Sequence, residues 1–118
     1  MITGSDVYGL KPEILMILNF LENVYQTVNL NSGFRSYSYN QKIKGAPNSA
    51  HLTGEAIDIS IKNVSIIKIT ATLMNDLLWK QVKGCGLDIY KNYVHLDIKN
   101  RGVKDVIYWT YGKNAQSE

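Results

Sequence analysis

The stretch EAIDISI, residues 55–61, alternates isoleucines with small or acidic residues. Because successive side chains of a strand point to opposite faces, the isoleucines share one face and Asp58 lies on the other. The stretch YVHLDI, residues 93–98, repeats this pattern, with its apolar residues opposite His95 and Asp97. Two strands are therefore predicted, each with one face for the core and one face that carries groups able to bind a metal.

The remaining periodicities predict a small α+β domain. Pro12 opens a run of apolar residues at helical spacing that extends to Val28, and Ser65 is a suitable cap for a second amphipathic helix over 65–79. Shorter predicted elements are a strand at 27–31, a short helix and loop at 37–49, strands at 86–90 and 93–98, and a strand at 105–110. The expected fold is an antiparallel sheet of about four to five strands packed against two main helices.

Length and composition limit the class of protein. The 118 residues fit one domain, residues 1–118, with a short polar tail from about residue 112. Hydrophobic residues form 45% of the chain and Cys85 is its single cysteine, so the core is expected to form without disulfides. The net charge of +3 comes from scattered lysines and permits a mild attraction to anionic polymers without specifying one. The eight tyrosines are not interleaved with basic residues, so we expect no nucleic-acid partner. No segment has the length of a membrane span, so we expect no membrane insertion, and we expect a monomer.

His51, Asp58 and His95 are candidate zinc ligands. Two imidazoles and one carboxylate form a three-ligand set that leaves a fourth coordination position open, as hydrolytic zinc sites require. A lone histidine is more often a surface or hydrogen-bonded core residue than a ligand. Here the chain's only two histidines both lie near patterned acidic residues, which favours the metal site.

Several motifs together resemble the M15 family of D-alanyl-D-alanine peptidases, which are related to the metal-binding fold of the Hedgehog signalling domain. The motifs agree in order and spacing and cover the chain from the first helix to Trp109. They are Ser32-Gly33-Phe34-Arg35-Ser36, Asn40, Gly45, the run from Ser49 to Asp58, Tyr90, and Val94-His95-Leu96-Asp97.

The resemblance implies a zinc-dependent peptidase that cleaves the stem peptides of peptidoglycan, as a carboxypeptidase or an endopeptidase. It implies that His51, Asp58 and His95 bind Zn²⁺. It also implies that Arg35 binds a carboxylate or carbonyl of the substrate and that Ser49 and Tyr90 contribute to substrate binding. Arginine suits this task because its planar fork matches a carboxylate, although a structural salt bridge is the alternative for Arg35.

One departure from the family concerns the general base. Many members carry an acidic residue three positions before the last zinc histidine, where this chain has Asn92, and an amide cannot accept the proton. A two-residue turn at Lys91-Asn92 would pair Asp88 directly with His95, with Cβ atoms about 5 Å apart. Asp88 is therefore the predicted general base.

Asp97 and Lys99 are two further positions considered beside the zinc ligands. Asp97 is predicted to orient an imidazole, with a solvated sheet carboxylate as the alternative. Relatives often have arginine where this chain has Lys99, a change that keeps the charge.

A second function stays open at this stage. A module that binds wall peptide or a protein partner could keep zinc and the cleft but lack the base. Residues 1–13 lack the basic and apolar segments of a signal peptide, so we expect access to the wall through lysis, a virion, a lost leader or a further domain.

Overall fold

The computed structural model describes residues 1–114, so the end of the predicted polar tail, residues 115–118, lies outside the described residues. Over the described range the chain forms six strands and three α-helices. The strands are β1 (Ile2–Gly4), β2 (Val28–Ser32), β3 (Ala56–Ser60), β4 (Gly84–Asp88), β5 (Tyr93–Asp97) and β6 (Ile107–Thr110). The α-helices are α1 (Pro12–Tyr25), α2 (Tyr37–Lys42) and α3 (Ile66–Met74), and short 3-10 helices cover Ala50–Thr53 and Leu77–Gln81.

The strands form one mixed sheet in the order β1-β2-β3-β5-β4-β6. The central pairs β2–β3, β3–β5 and β5–β4 are antiparallel, whereas the outer pairs β1–β2 and β4–β6 are parallel. The α+β class is thus confirmed, but the prediction of an antiparallel sheet of four to five strands is wrong. The helix α1 connects β1 to β2 as a crossover, and such a connection returns the chain in the same direction.

The two long helices pack on one face of the sheet. α1 buries Ile14, Ile17, Leu18 and Leu21, which recur at the spacing of one helix face, and α3 buries Ile66, Ile69 and Leu73. The isoleucines of β3 lie in the same core. The predicted assignment of faces is therefore confirmed for this strand.

Both predicted helices are too long at their C-terminal ends. α1 stops at Tyr25, and α3 stops at Met74 instead of continuing to residue 79. After α3 the Asp76 carboxylate accepts a hydrogen bond from the Leu78 N–H at 3.0 Å and starts the 3-10 helix, which leaves Leu77 exposed. A local side-chain bond thus ends a helix that the apolar spacing alone extends.

The hairpin between β4 and β5 has a longer turn than predicted. Asp88 pairs with Tyr93 and Gly86 pairs with His95, so residues 89–92 form a four-residue connection. The Asp88 carboxylate accepts a hydrogen bond from the Lys91 N–H at 2.8 Å, and Asn92 has a left-handed φ of 55°. These two features close the wider turn, since aspartate and asparagine favour such turns. The predicted direct pairing of Asp88 with His95 is wrong, although both still lie on the same face.

In the described part of the chain, no helix combines the length and the apolar composition that crossing a bilayer would require.

Candidate metal centre

The three predicted ligands converge on the face of the sheet that is opposite the helices. Asp58 of β3 and His95 of β5 are directly paired residues. His51 comes from the 3-10 helix Ala50–Thr53, where the Ser49 hydroxyl accepts a hydrogen bond from the His51 N–H at 3.2 Å. Gly54 ends this helix with a φ of 72°, in the left-handed region that favours glycine.

The donor atoms of this site have the spacing that one zinc ion needs. Asp58 Oδ1 lies 3.2 Å from His51 Nε2 and 2.8 Å from His95 Nδ1, and one ligand atom from each residue lies within 4.8 Å of the others. Tetrahedral bonds of about 2.0–2.1 Å place ligand atoms about 3.3 Å apart. The donor set therefore fits Zn²⁺ in both chemistry and spacing.

The second nitrogen of each imidazole has its own hydrogen-bond acceptor. His51 Nδ1 donates to the Gly33 carbonyl at 2.7 Å, and His95 Nε2 donates to Asp97 Oδ2 at 2.8 Å. When a metal is bound, the remaining imidazole protons stay on these two nitrogens, while His51 Nε2 and His95 Nδ1, which face Asp58, are the atoms that would bind it. Zinc-binding histidines are commonly oriented in this way by a carbonyl or carboxylate.

Asp97 itself is held by an arginine that the sequence reasoning did not single out. Arg101 Nη1 and Nη2 each donate to one oxygen of the fully buried Asp97 carboxylate at 2.8 Å. Gly84 is paired with Asp97, and a Cβ at Gly84 would lie 2.4 Å from Asp97 Oδ2. The missing side chain of Gly84 therefore provides the space that the carboxylate occupies.

The buried charges of the site compensate each other. Burial opposes the charge on Asp58, but hydrogen bonds from His51 and His95 outweigh it and hold the pKa of Asp58 well below its usual range. Burial likewise opposes the charge on Asp97, yet Arg101 and His95 keep its pKa below the usual range. Burial alone would lower the pKa of His95, but Asp58 and Asp97 raise it to about 9. The two carboxylates are thus ionised and paired with cations.

Arg35 lies in a cleft of about 290 Å³ that opens beside Asp58. Its guanidinium donates to Ser32 Oγ at 3.1 Å and to Asn40 Oδ1 at 3.2 Å, and its Nη2 lies 3.5 Å from Asp58 Oδ2. A Cβ at Gly45 would lie 2.2 Å from Asn40 Oδ1, which explains the glycine there. Arg35 therefore forms a structural ion pair with Asp58 and also lines the cleft next to the candidate metal site. The other lining residues are Asn31, Ser32, Tyr39, Ile43, Lys91 and Tyr93.

Asp88 is buried on the same face of the sheet as His95. Its Oδ1 accepts the Lys91 N–H, while its Oδ2 is buried and has no hydrogen-bond partner among the described residues. In the described chain the strands carry three carboxylates, Asp58, Asp88 and Asp97, and all three lie on this face. Asp88 is the one that neither belongs to the ligand set nor pairs with Arg101.

The other predicted positions lie near the site at different depths. Ser49 is buried at the start of the 3-10 helix of His51, and Tyr90 is exposed in the turn between β4 and β5. Neither residue is among those that line the cleft, so their substrate contacts stay predictions. The side chain of Lys99 donates to the Asn48 carbonyl, and Arg101 takes the place beside Asp97. Cys85 is buried in the core as predicted.

An aromatic residue from β6 completes the wall of the site. The Trp109 ring lies 5.4 Å from the His95 ring, and the Arg101 guanidinium lies 5.7 Å from the Trp109 ring. A Cβ at Gly86 would lie 2.5 Å from Trp109 Nε1, so the absence of a side chain at Gly86 leaves room for the indole above β4. The pattern Gly84-Cys85-Gly86 was the available signal for this arrangement, because glycine in a strand often marks a close approach.

The comparison with protein families agrees with this geometry. The family described as Peptidase M15 matches residues 3–97, which include all three candidate ligands. No curated protein sequence matches the chain at a significant level. Since the match covers most of the chain and the His51, Asp58 and His95 donors converge within it, this chain belongs to the peptidase M15 family.

Proposed function

We propose that this protein hydrolyses peptide bonds in the stem peptides of peptidoglycan, with Zn²⁺ bound by His51, Asp58 and His95. The observation that carries the proposal is the convergence of these donors beside a cleft that contains Arg35, in a member of the peptidase M15 family. Zn²⁺ in such a site would lower the pKa of a water molecule and polarise a scissile carbonyl.

Asp88 is the proposed general base. It would accept a proton from the attacking water on Oδ2 and return it to the leaving amine. Its support is the buried Oδ2 without a partner among the described residues, since an unsatisfied buried oxygen commonly has a functional reason. The Lys91 N–H holds the other oxygen and thereby fixes the plane of the carboxylate.

Arg35 is the proposed anchor for a carboxylate or carbonyl of the peptide. Ser32 and Asn40 hold its guanidinium, so little side-chain freedom is lost when a substrate binds. An oriented substrate reacts faster because the encounter with the catalytic groups becomes intramolecular. Ser49 and Tyr90 remain proposed substrate contacts on the strength of the resemblance.

A binding module without catalysis is the second candidate function. It is favoured by the position of Asp88, which pairs with Tyr93 instead of His95 and does not line the cleft. Such a module would keep the metal and recognise wall peptide or a protein partner without cutting it.

The test measures zinc content and the hydrolysis of defined peptidoglycan fragments on the same preparations. The fragments are a stem pentapeptide that ends in D-alanyl-D-alanine and a cross-linked dimer, which separate carboxypeptidase from endopeptidase activity. The variants are His95→Ala and Asp88→Asn, with Asp105→Asn as a matched control because Asp105 is an exposed carboxylate.

We expect about one zinc ion per chain in the unaltered protein. His95→Ala should lose both zinc and hydrolysis, whereas Asp88→Asn should keep zinc and lose about 10²–10⁴-fold in rate. Asp105→Asn should behave as the unaltered protein. Zinc binding without hydrolysis of either fragment would support the binding module, and a failure to bind zinc would refute the metal site.

A further inference from the structure

Hydrogen bonds connect Arg101 to the candidate metal site through Asp97. Arg101 donates to both oxygens of Asp97 at 2.8 Å, Asp97 Oδ2 accepts the proton of His95 Nε2 at 2.8 Å, and His95 Nδ1 faces Asp58 at 2.8 Å. Arg101 and Trp109 both lie beyond residues 3–97, the part of the chain that matches the family.

We propose that Arg101 is a positioning residue that holds the Asp97 carboxylate in place, so that His95 presents Nδ1 to the metal. This inference rests on the metal site of the proposed function. A two-point contact from the planar guanidinium fixes both the position and the plane of the carboxylate. With a metal on Nδ1, the fixed Oδ2 would keep the single remaining imidazole proton on Nε2.

The surroundings of Arg101 support a fixed geometry. Its guanidinium lies over the Trp109 ring, and the same ring lies beside His95. Gly84 and Gly86 leave the space that Asp97 and Trp109 fill, and a Cβ at either position would lie within 2.5 Å of a side-chain atom of these residues. Gly84 and Gly86, which lie on the same face of β4, thus both lack a side chain where Asp97 and Trp109 need the space.

Lysine at position 101 would supply the charge of Arg101 but not its geometry. Asp97 is fully buried, so it needs a counter-charge, and lysine could supply one. Lysine is a point charge, however, and cannot bind both carboxylate oxygens in one plane. The orientation of Asp97, and with it the orientation of His95, should therefore depend on the guanidinium itself.

The test compares Arg101→Met and Arg101→Lys with the unaltered protein and with Lys104→Met, an exposed cation of the same loop. The zinc dissociation constant is measured by competition with a chromophoric chelator. Solvent exchange of the His95 Nε2 proton is measured by ¹⁵N-edited NMR on the zinc-loaded protein. We expect Arg101→Met to weaken zinc binding about 10–100-fold and to accelerate the exchange, Arg101→Lys to recover part of both, and Lys104→Met to change neither.

If Arg101→Met alone does not fold, Arg101→Lys carries the test because it keeps the counter-charge of Asp97, and unchanged zinc affinity and exchange in Arg101→Lys would then overturn the proposal. If Arg101→Met folds, a double-mutant cycle with Asp97→Asn is a second test. The amide oxygen introduced by Asp97→Asn would still accept the His95 proton without a buried negative charge. Adding Arg101→Met to Asp97→Asn should therefore have little further effect on zinc affinity. Unchanged affinity and exchange in Arg101→Met, or equal effects of this substitution in both backgrounds, would overturn the proposal. Hydrolysis is not measured in this experiment. A protein that binds zinc but hydrolyses no peptide would therefore refute the peptidase proposal and leave the proposal for Arg101 intact.

Discussion

Gly84→Ala tests whether the space above β4 maintains the candidate metal site. The added Cβ would lie 2.4 Å from Asp97 Oδ2 and 2.7 Å from Oδ1, where ordinary contacts begin at 3.4 Å. The Oδ2 atom would therefore have to move by about 1 Å, the difference between 3.4 and 2.4 Å. Such a movement would break or lengthen its hydrogen bonds of 2.8 Å to His95 and Arg101.

The expected magnitudes follow from these contacts. Overpacking of a buried site costs about 1–3 kcal/mol of unfolding free energy. Loss of the group that orients a ligand histidine weakens metal binding about 10–100-fold, or about 1.4–2.7 kcal/mol. Gly84→Ala should therefore lose stability in the metal-free protein and lose further stabilisation by zinc.

The assay is urea unfolding with and without zinc, together with zinc titration against a chelator. Gly112→Ala is the matched control, because a Cβ at Gly112 would meet no atom within 4 Å and its backbone has no positive φ. If Gly84→Ala unfolds and binds zinc like Gly112→Ala, then the Asp97 carboxylate is not held where the structure places it, and the argument for a preorganised His95 fails.

Three further outcomes concern the framework of the site. Gly54→Ala should lose about 1–3 kcal/mol of unfolding free energy, since its φ is 72° and its Cβ would lie 2.0 Å from the Gly9 carbonyl oxygen; urea unfolding checks this. Ser65→Ala should lose about 1 kcal/mol in the same assay, because the Ser65 hydroxyl caps α3 by accepting the Lys68 N–H at 3.1 Å; a loss below 0.2 kcal/mol, on the order of measurement error, would contradict the cap. Burial raises the pKa of the Cys85 thiol from 9.0 to about 11, against an opposing hydrogen bond from Thr70. This thiol should resist alkylation at pH 8 until urea unfolds the protein, and its contribution to stability, complete below pH 9, should be lost as the pH rises to about 11.

The faces of the strands and the candidate ligand set could be predicted from local patterns. A strand has a period of two residues, so the alternation around Asp58 and His95 assigned these side chains to the face opposite the core. The same logic placed Cys85 in the core, where it lies. The helix starts at Pro12 and Ser65 could also be predicted from the sequence, because proline and capping residues act within the first turn of a helix.

Helix ends, strand β1 and the parallel sheet edges were not predictable in this way. Apolar spacing continues past Met74 into Leu77, although the Asp76 carboxylate begins a new turn there. β1 has only three residues, too few for a periodicity, and it exists because β2 offers it a hydrogen-bonding edge. Its parallel direction follows from the crossover of α1, a property of the chain path.

The position of Asp88 and the role of Arg101 were decided by the tertiary structure. A shift of the hairpin by two residues preserves the face of every side chain, so the alternation cannot distinguish Asp88 opposite His95 from Asp88 opposite Tyr93. The bond from the Lys91 N–H and the left-handed Asn92 select the second register. Arg101 lies four residues after Asp97 and outside any strand, so the two-residue period of β5 does not predict its contact with that carboxylate. Local alternation thus determines which groups face the site, whereas the distances between them depend on register and chain path, which only the assembled sheet sets.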